Sequence, residues 1–114
     1  MKADNFKVNL SLRDTVTLLD RGIVDGSISG ERVDYHVVTG DDIHGVIVLV
    51  YEKFFHRVGN RLCLTITVDN MNGSTNIHCI GAGGGNGIFI NFDWGAGDSF
   101  SSAPRQILKQ HIID

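Results

Sequence analysis

Proline is nearly absent from this chain: Pro104 is the only one in 114 residues. There is no internal repeat and no low-complexity linker either, so nothing marks a domain boundary and one domain is expected. Cysteine is scarce. Cys63 and Cys79 stand sixteen positions apart, a spacing that matches no zinc or redox motif. Hydrophobic runs are short, and the longest aliphatic one, Val46 to Tyr51, falls far below the ~20 residues of a membrane helix. The first residues, MKADNFKVNLSL, lack the apolar segment of a signal peptide. No membrane association and a cytoplasmic location are therefore expected. Basic residues are few: ten Lys and Arg against thirteen Asp and Glu give a net charge of −3. The densest basic group, Lys53, Arg57 and Arg61, surrounds one predicted turn and is too small to neutralise a run of phosphates. Nucleic acid is not an expected partner.

What is present is an ordinary globular composition, 42% apolar and 20% charged, in a chain long enough to bury a core without staples. Phe6, Val8, Leu10 and Leu12 alternate with Lys7, Asn9 and Ser11, the period of a strand with one buried face. Ser11 stands three residues before Asp14, a variant of the capping box, and Val16, Leu19 and Ile23 follow at helical spacing. A short helix over Leu12 to Arg21 is predicted, with Gly22 placed to end it. Val33, Tyr35 and Val37 alternate in a second strand. In the third, GVIVLVYEKFF, Val46, Val48 and Val50 point one way and Ile47, Leu49 and Tyr51 the other. A strand apolar on both sides belongs in the middle of a sheet. One face should take the helices; the other needs a loop layer or a second subunit.

Strands four and five can be registered against each other. Leu62, Leu64, Ile66 and Val68 share one face, and Asn72-Gly73 carries the signal of a two-residue type I′ hairpin turn. Such a turn pairs Val68 with Ile77 and Ile66 with Cys79, apolar against apolar. It also puts Cys79 inside and Cys63 outside, so two free thiols are predicted. Ile88, Ile90, Phe92 and Trp94 mark a sixth strand. A final helix, with Ser102 as N-cap and Pro104 in the first turn, places Ile107, Leu108, His111 and Ile112 along one side. The expected fold is α+β, an antiparallel sheet of about six strands with two helices on one face, in the order β-α-β-β-β-β-β-α.

The stretch GAGGGNGIFINFDWGAG, residues 81–97, holds seven of the fourteen glycines. A dinucleotide fingerprint would need G-x-G-x-x-G opening a helix, but the third glycine is missing and IFINFDW, a strand, follows. No Gly-Lys-Ser or Gly-Lys-Thr occurs, which excludes a Walker loop. The glycines read as a hairpin and a corner.

The block GGGNGIFINFDWGAGDSF followed by an amphipathic helix resembles the C-terminal signature of a family of small bacterial proteins of unknown function. VYEKFFHR, residues 50–57, is similar to the middle of that family. The resemblance carries no activity and no site residues. It implies a helix start near Asp98, earlier than Ser102 and Pro104 indicate.

Five histidines raise a metal question, but no pair has the spacing of a common zinc site, and no metal or cofactor is expected. Glu52 and Lys53 end an apolar run, where one of them could be drawn toward a buried face. His78 is expected outside, beside Thr67. Asp93-Trp94 offers a carboxylate next to a stacking surface, although alternation puts Trp94 in the core. No catalytic set emerges. Tyr51, Glu52, His78, Asp93 and Trp94 are the candidate ligand contacts.

The reading is a non-enzymatic module that either self-associates, as a dimer through the outer sheet face, or holds a small apolar ligand between sheet and helices. The alternative is a small hydrolase-like or metal-dependent enzyme using Glu52 with a nearby histidine or Asp93.

Overall fold

The computed structural model describes residues 3–26, 30–55, 60–83 and 100–113. In chain order the elements are β1 (Asp4–Val8), α1 (Leu12–Asp20), a π-helical turn (Arg21–Asp25), β2 (Glu31–Gly40), β3 (Gly45–Phe55), β4 (Asn60–Asp69), β5 (Thr75–Gly83), α2 (Ala103–Ile107) and a 3-10 turn (Lys109–His111). The strands form one antiparallel sheet in the order β1-β5-β4-β3-β2. Both helices pack on the same face, so the fold is α+β as the patterning implies. Five strands are present among the described residues rather than about six; residues 88–94, expected to form the sixth, lie outside them.

Alternation decides the layers. Ile47, Leu49 and Tyr51 of β3 have no exposed surface, and neither do Leu64, Ile66 and Val68 of β4 or Ile77 and Cys79 of β5. These rows meet Leu12, Val16, Leu19 and Ile23 from the first helical segment and Leu108 from the C-terminal one. On the other side of β3, Val46, Val48 and Val50 are half-buried. The helices thus chose the Ile47 face. The register of β4 on β5 is the expected one, with Val68 opposite Ile77 and Ile66 opposite Cys79.

Helix α1 begins where its cap requires: the Ser11 hydroxyl oxygen accepts from the Asp14 amide at 3.0 Å. Its buried positions, Leu12, Thr15, Val16 and Leu19, follow the 3.6-residue period. Gly22 does not end it. The chain runs on through a wider turn in which the Gly26 amide donates to the Arg21 carbonyl five residues back, at 3.0 Å. Gly22 serves close packing instead, because a Cβ there would lie 2.5 Å from Cγ1 and Cδ1 of Ile107.

Two other expectations need correction. The β4–β5 connection is not a type I′ turn, since only Gly73 has positive φ, at 95°. The Gly73 amide closes on the Asn70 carbonyl at 3.2 Å, and pairing starts at Asp69 with Asn76. A wider loop preserves the register because two residues join each strand end symmetrically. The final helix is also shorter than predicted. Ser102 precedes α2 without a side-chain cap bond, and Ile112 is not helical. Ile112 bridges to Val8, while the Ile113 amide donates to the Lys7 carbonyl at 3.0 Å and the Asn9 amide to the His111 carbonyl at 2.9 Å. The outer edge of β1 offers unpaired backbone groups there, and the end of the chain satisfies them.

Arg105 locks α2 to β1, with Nε and Nη2 donating to the two Asp4 oxygens at 2.8 and 2.9 Å. That guanidinium also lies 4.8 Å from the centre of the Phe6 ring. Its hydrogen bond holds the Asp4 carboxyl below its ordinary value of 3.8 against the opposing effect of burial.

Gly22→Ala should destabilise the fold by about 1–2 kcal/mol, because overpacking against Ile107 outweighs the gain in helix propensity. Denaturant titration of a cycle with Ile107→Ala checks it: the double variant should lose less than the sum of the single losses. A second expectation concerns the thiols. Cys79 is buried, and burial, with the Asp4 charge, pushes it up to about 11, whereas Cys63 is partly exposed on the other face. A thiol reagent at neutral pH should label Cys63 in the native protein and reach Cys79 only after unfolding.

Candidate functional site

A set of linked polar contacts lies where α1 ends beside the start of β2. Tyr51 is buried on the helix-facing side of β3, and a buried phenol needs a partner. Its hydroxyl donates to Asp20 Oδ1 at 2.5 Å. Asp20 is the last residue of α1, and its other oxygen accepts from Arg32 Nη1 at 2.6 Å. Arg32 is the second residue of β2, directly opposite Tyr51 in the register, and its guanidinium sits 5.0 Å from the Tyr35 ring centre. Three elements are pinned together by one carboxylate. Desolvation, then the bond to Asp20, drives the Tyr51 pKa well above its ordinary value of 10.

An open cleft of about 490 Å³ runs past this triad, lined by Thr17, Asp20, Arg21, Val24, Asp25, Glu31 and Arg32. It lies at the rim of the layers rather than between them. Both Asp20 oxygens are already engaged, so the carboxylate is a strut and not a free base. A second cleft of about 350 Å³ lies near the chain end, between the residues after β1 and the turns at Ile43 and Gly73. The Asn70 amide that lines it is used on both sides: Nδ2 donates to the Ile43 carbonyl at 2.8 Å, and Oδ1 accepts from the Gly45 amide at 3.0 Å. Among the described residues no three His, Cys, Asp or Glu side chains converge on a point that could hold a metal ion.

The five candidate contacts do not form one site. Tyr51 faces the helices, whereas Glu52, the next residue, lies on the outer face opposite Cys63. Lys53, opposite Leu62, takes the inner side. Glu52 is 36% exposed and lies 3.7 Å from Arg61, itself 62% exposed. Such a pair is screened by solvent. His78 is exposed on the outer face opposite Thr67. It stands two strands over and four residues along from Glu52, roughly 16 Å away by strand geometry. Asp93 and Trp94 lie outside the described residues. Sequence reasoning missed Asp20 and Arg32. A tyrosine in an apolar row signals that a partner is needed, but nothing local says the partner is 31 residues earlier.

Beyond the cleft, β2 differs from every other strand. All ten of its residues are exposed, including Val33, Tyr35, Val37 and Val38. Tyr35 and Val37 lie on the helix side, opposite Leu49 and Ile47, yet the helices do not reach them. Strand β1 at the opposite margin meets the chain end at Lys7 and Val8; β2 has a strand only on its β3 side among the described residues.

A family model matches residues 1–112, almost the whole chain. The chain belongs to DUF6054, a family of unknown function. That agrees with the resemblance drawn from the glycine-rich block. No curated protein and no solved structure matches the chain. Membership of DUF6054 assigns no reaction, so the geometry has to carry the reading. Among the described residues, no helix is long and apolar enough to cross a membrane.

Tyr51→Phe should lower stability by about 1–2 kcal/mol, since Arg32 still holds the exposed side of Asp20. The pH dependence has a definite sign. Tyr51 is held neutral when folded, so its contribution is complete below pH 10 and lost progressively above it as the unfolded chain ionises. Unfolding measured from about pH 8 to 11 should show this loss in the wild type, and a smaller one in Tyr51→Phe.

Proposed function

We propose that this protein is a non-enzymatic self-association module, a helix-backed sheet whose exposed marginal strand β2 meets a second copy. The observation that carries the reading is β2, a ten-residue strand exposed along its full length, Val33, Tyr35, Val37 and Val38 included. Long exposed apolar strands are a hazard unless something pairs with them. On the outer face of the sheet, half-buried Val48 and Val50 of β3 and Ile80 of β5, which is 42% exposed, add further apolar surface.

The alternatives draw less support. A small apolar ligand between sheet and helices would need room, but Leu49, Tyr51, Leu64, Ile66, Leu12 and Leu19 fill that interface with essentially no exposed surface. An enzyme built on Glu52 would need a histidine or Asp93 near it; the described residues around it are Glu31 and Cys63, opposite it on the neighbouring strands, and Arg61, with which it pairs. A reducing, cytoplasmic setting fits the two unpaired thiols on opposite faces.

Sedimentation equilibrium at tens of micromolar should give the mass of a dimer. Val37→Glu, on an exposed strand, should leave thermal stability within about 0.5 kcal/mol and shift the protein to monomer. A wild type that stays monomeric at 100 µM would sink the reading.

A further inference from the structure

We infer that two copies join edge to edge along β2, antiparallel about a two-fold axis at Tyr35, so that Asp34 of each copy opposes His36 of the other. This rests on the self-association reading and specifies its geometry. The inference comes from parity and charge along one strand.

Between Asp34 and Val37 the alternation of β2 on β3 is regular: Asp34 opposes Val50, Tyr35 opposes Leu49, His36 opposes Val48 and Val37 opposes Ile47. Irregularities flank this window, between Arg32 and Asp34 and between Val37 and Thr39. Asp34 and His36 therefore share the outer face, and Tyr35 and Val37 the helix side. In an antiparallel pair, directly opposed residues point to the same side of the sheet. A two-fold axis that fell between two residues would oppose an outer residue to an inner one. Only axes through a residue remain.

Charge then separates those axes. Through Asp34, the two carboxylates face each other. Through His36, the two imidazoles do. An axis through Val37 leaves neither charge with a counterpart in the window. Through Tyr35, the carboxylate of Asp34 meets the partner's His36 twice, once on each side of the axis, and the two phenol rings lie together. Among the described residues, His36 is faced on β3 by Val48, with Val46 and Val50 on the diagonals and Asp34 two residues before it. No cation or second acid on β3 competes for it. Isologous closure uses this edge once in each copy and ends the assembly at two. The result is one continuous sheet to which each copy contributes its five described strands, with β1 at both ends.

Charge exchange tests this register. Asp34→Lys opposes lysine to the partner's histidine at both contacts, and His36→Asp opposes two carboxylates at both. Measured by sedimentation at about pH 6, each variant alone should dimerise roughly tenfold more weakly than wild type. Mixed together they become complementary at both contacts, so the mixture should recover dimer that neither forms alone. Circular dichroism and melting establish that both variants fold, and both positions are exposed. If the wild type dimerises and the two variants dimerise equally well alone, the β2 register is wrong while self-association stands. If the variants weaken but the mixture does not recover, the Asp34–His36 opposition is wrong. A monomeric wild type removes both proposals. Crosslinking gives an independent readout: in a Cys63→Ser background, Tyr35→Cys should oxidise to a covalent dimer, and Arg32→Cys should not.

Discussion

Everything in this fold is arranged around β3. A central strand that is apolar on both sides cannot choose its own orientation, and the helices choose for it by covering Ile47, Leu49 and Tyr51. Once that row is inside, the pleat dictates the rest. Leu64, Ile66 and Val68 of β4 and Ile77 and Cys79 of β5 must follow inward, and Glu52 and Cys63 must face outward. A slip of one residue would exchange every one of these positions. The same parity reaches β2 through its pairing with β3, which is why Asp34 and His36 share a face.

Tyr51 is the one polar atom carried into that apolar row, and the way it is satisfied shapes the molecule. Its hydroxyl takes one oxygen of Asp20, and Arg32 takes the other. The end of α1 is thereby tied to the start of β2 at the rim of the core. The tie holds β2 in register while most of its length projects past the helices. An edge strand so anchored is preorganised for pairing, because little conformational freedom is left to lose on association. The contrast with β1 is instructive. There the chain end supplies Ile112 and Ile113 as a partner, and Arg105 clamps α2 across Asp4. Among the described residues, the β1 margin is partly covered from within the chain and the β2 margin has no strand beyond it.

Much of the fold was legible because period-two and period-3.6 patterns are local. The capping serine at position 11, the inward set of β4, the β4–β5 register and the opposite placement of Cys63 and Cys79 could all be read from spacing. Gly22 was misread for a physical reason: a glycine after a helical run signals a C-cap, yet its use here is to admit Ile107 from 85 positions away. Asn72-Gly73 kept the register but not the turn type, since the register depends on matching apolar rows and the turn on backbone dihedrals. The candidate contacts scattered because neighbours such as Tyr51 and Glu52 are on opposite faces by construction.

The sequence by itself determined the class of fold, the strand periods and the apolar character of both sides of β3, because these depend on residues a few positions apart. Only the tertiary structure decided which side of β3 the helices cover, that Asp20 and Arg32 complete Tyr51, and that among the described residues the chain end joins β1 rather than β2. Each of those is a choice between long-range partners of similar local chemistry. Packing against the helices, and the place where the chain end finds unpaired backbone groups, settles them.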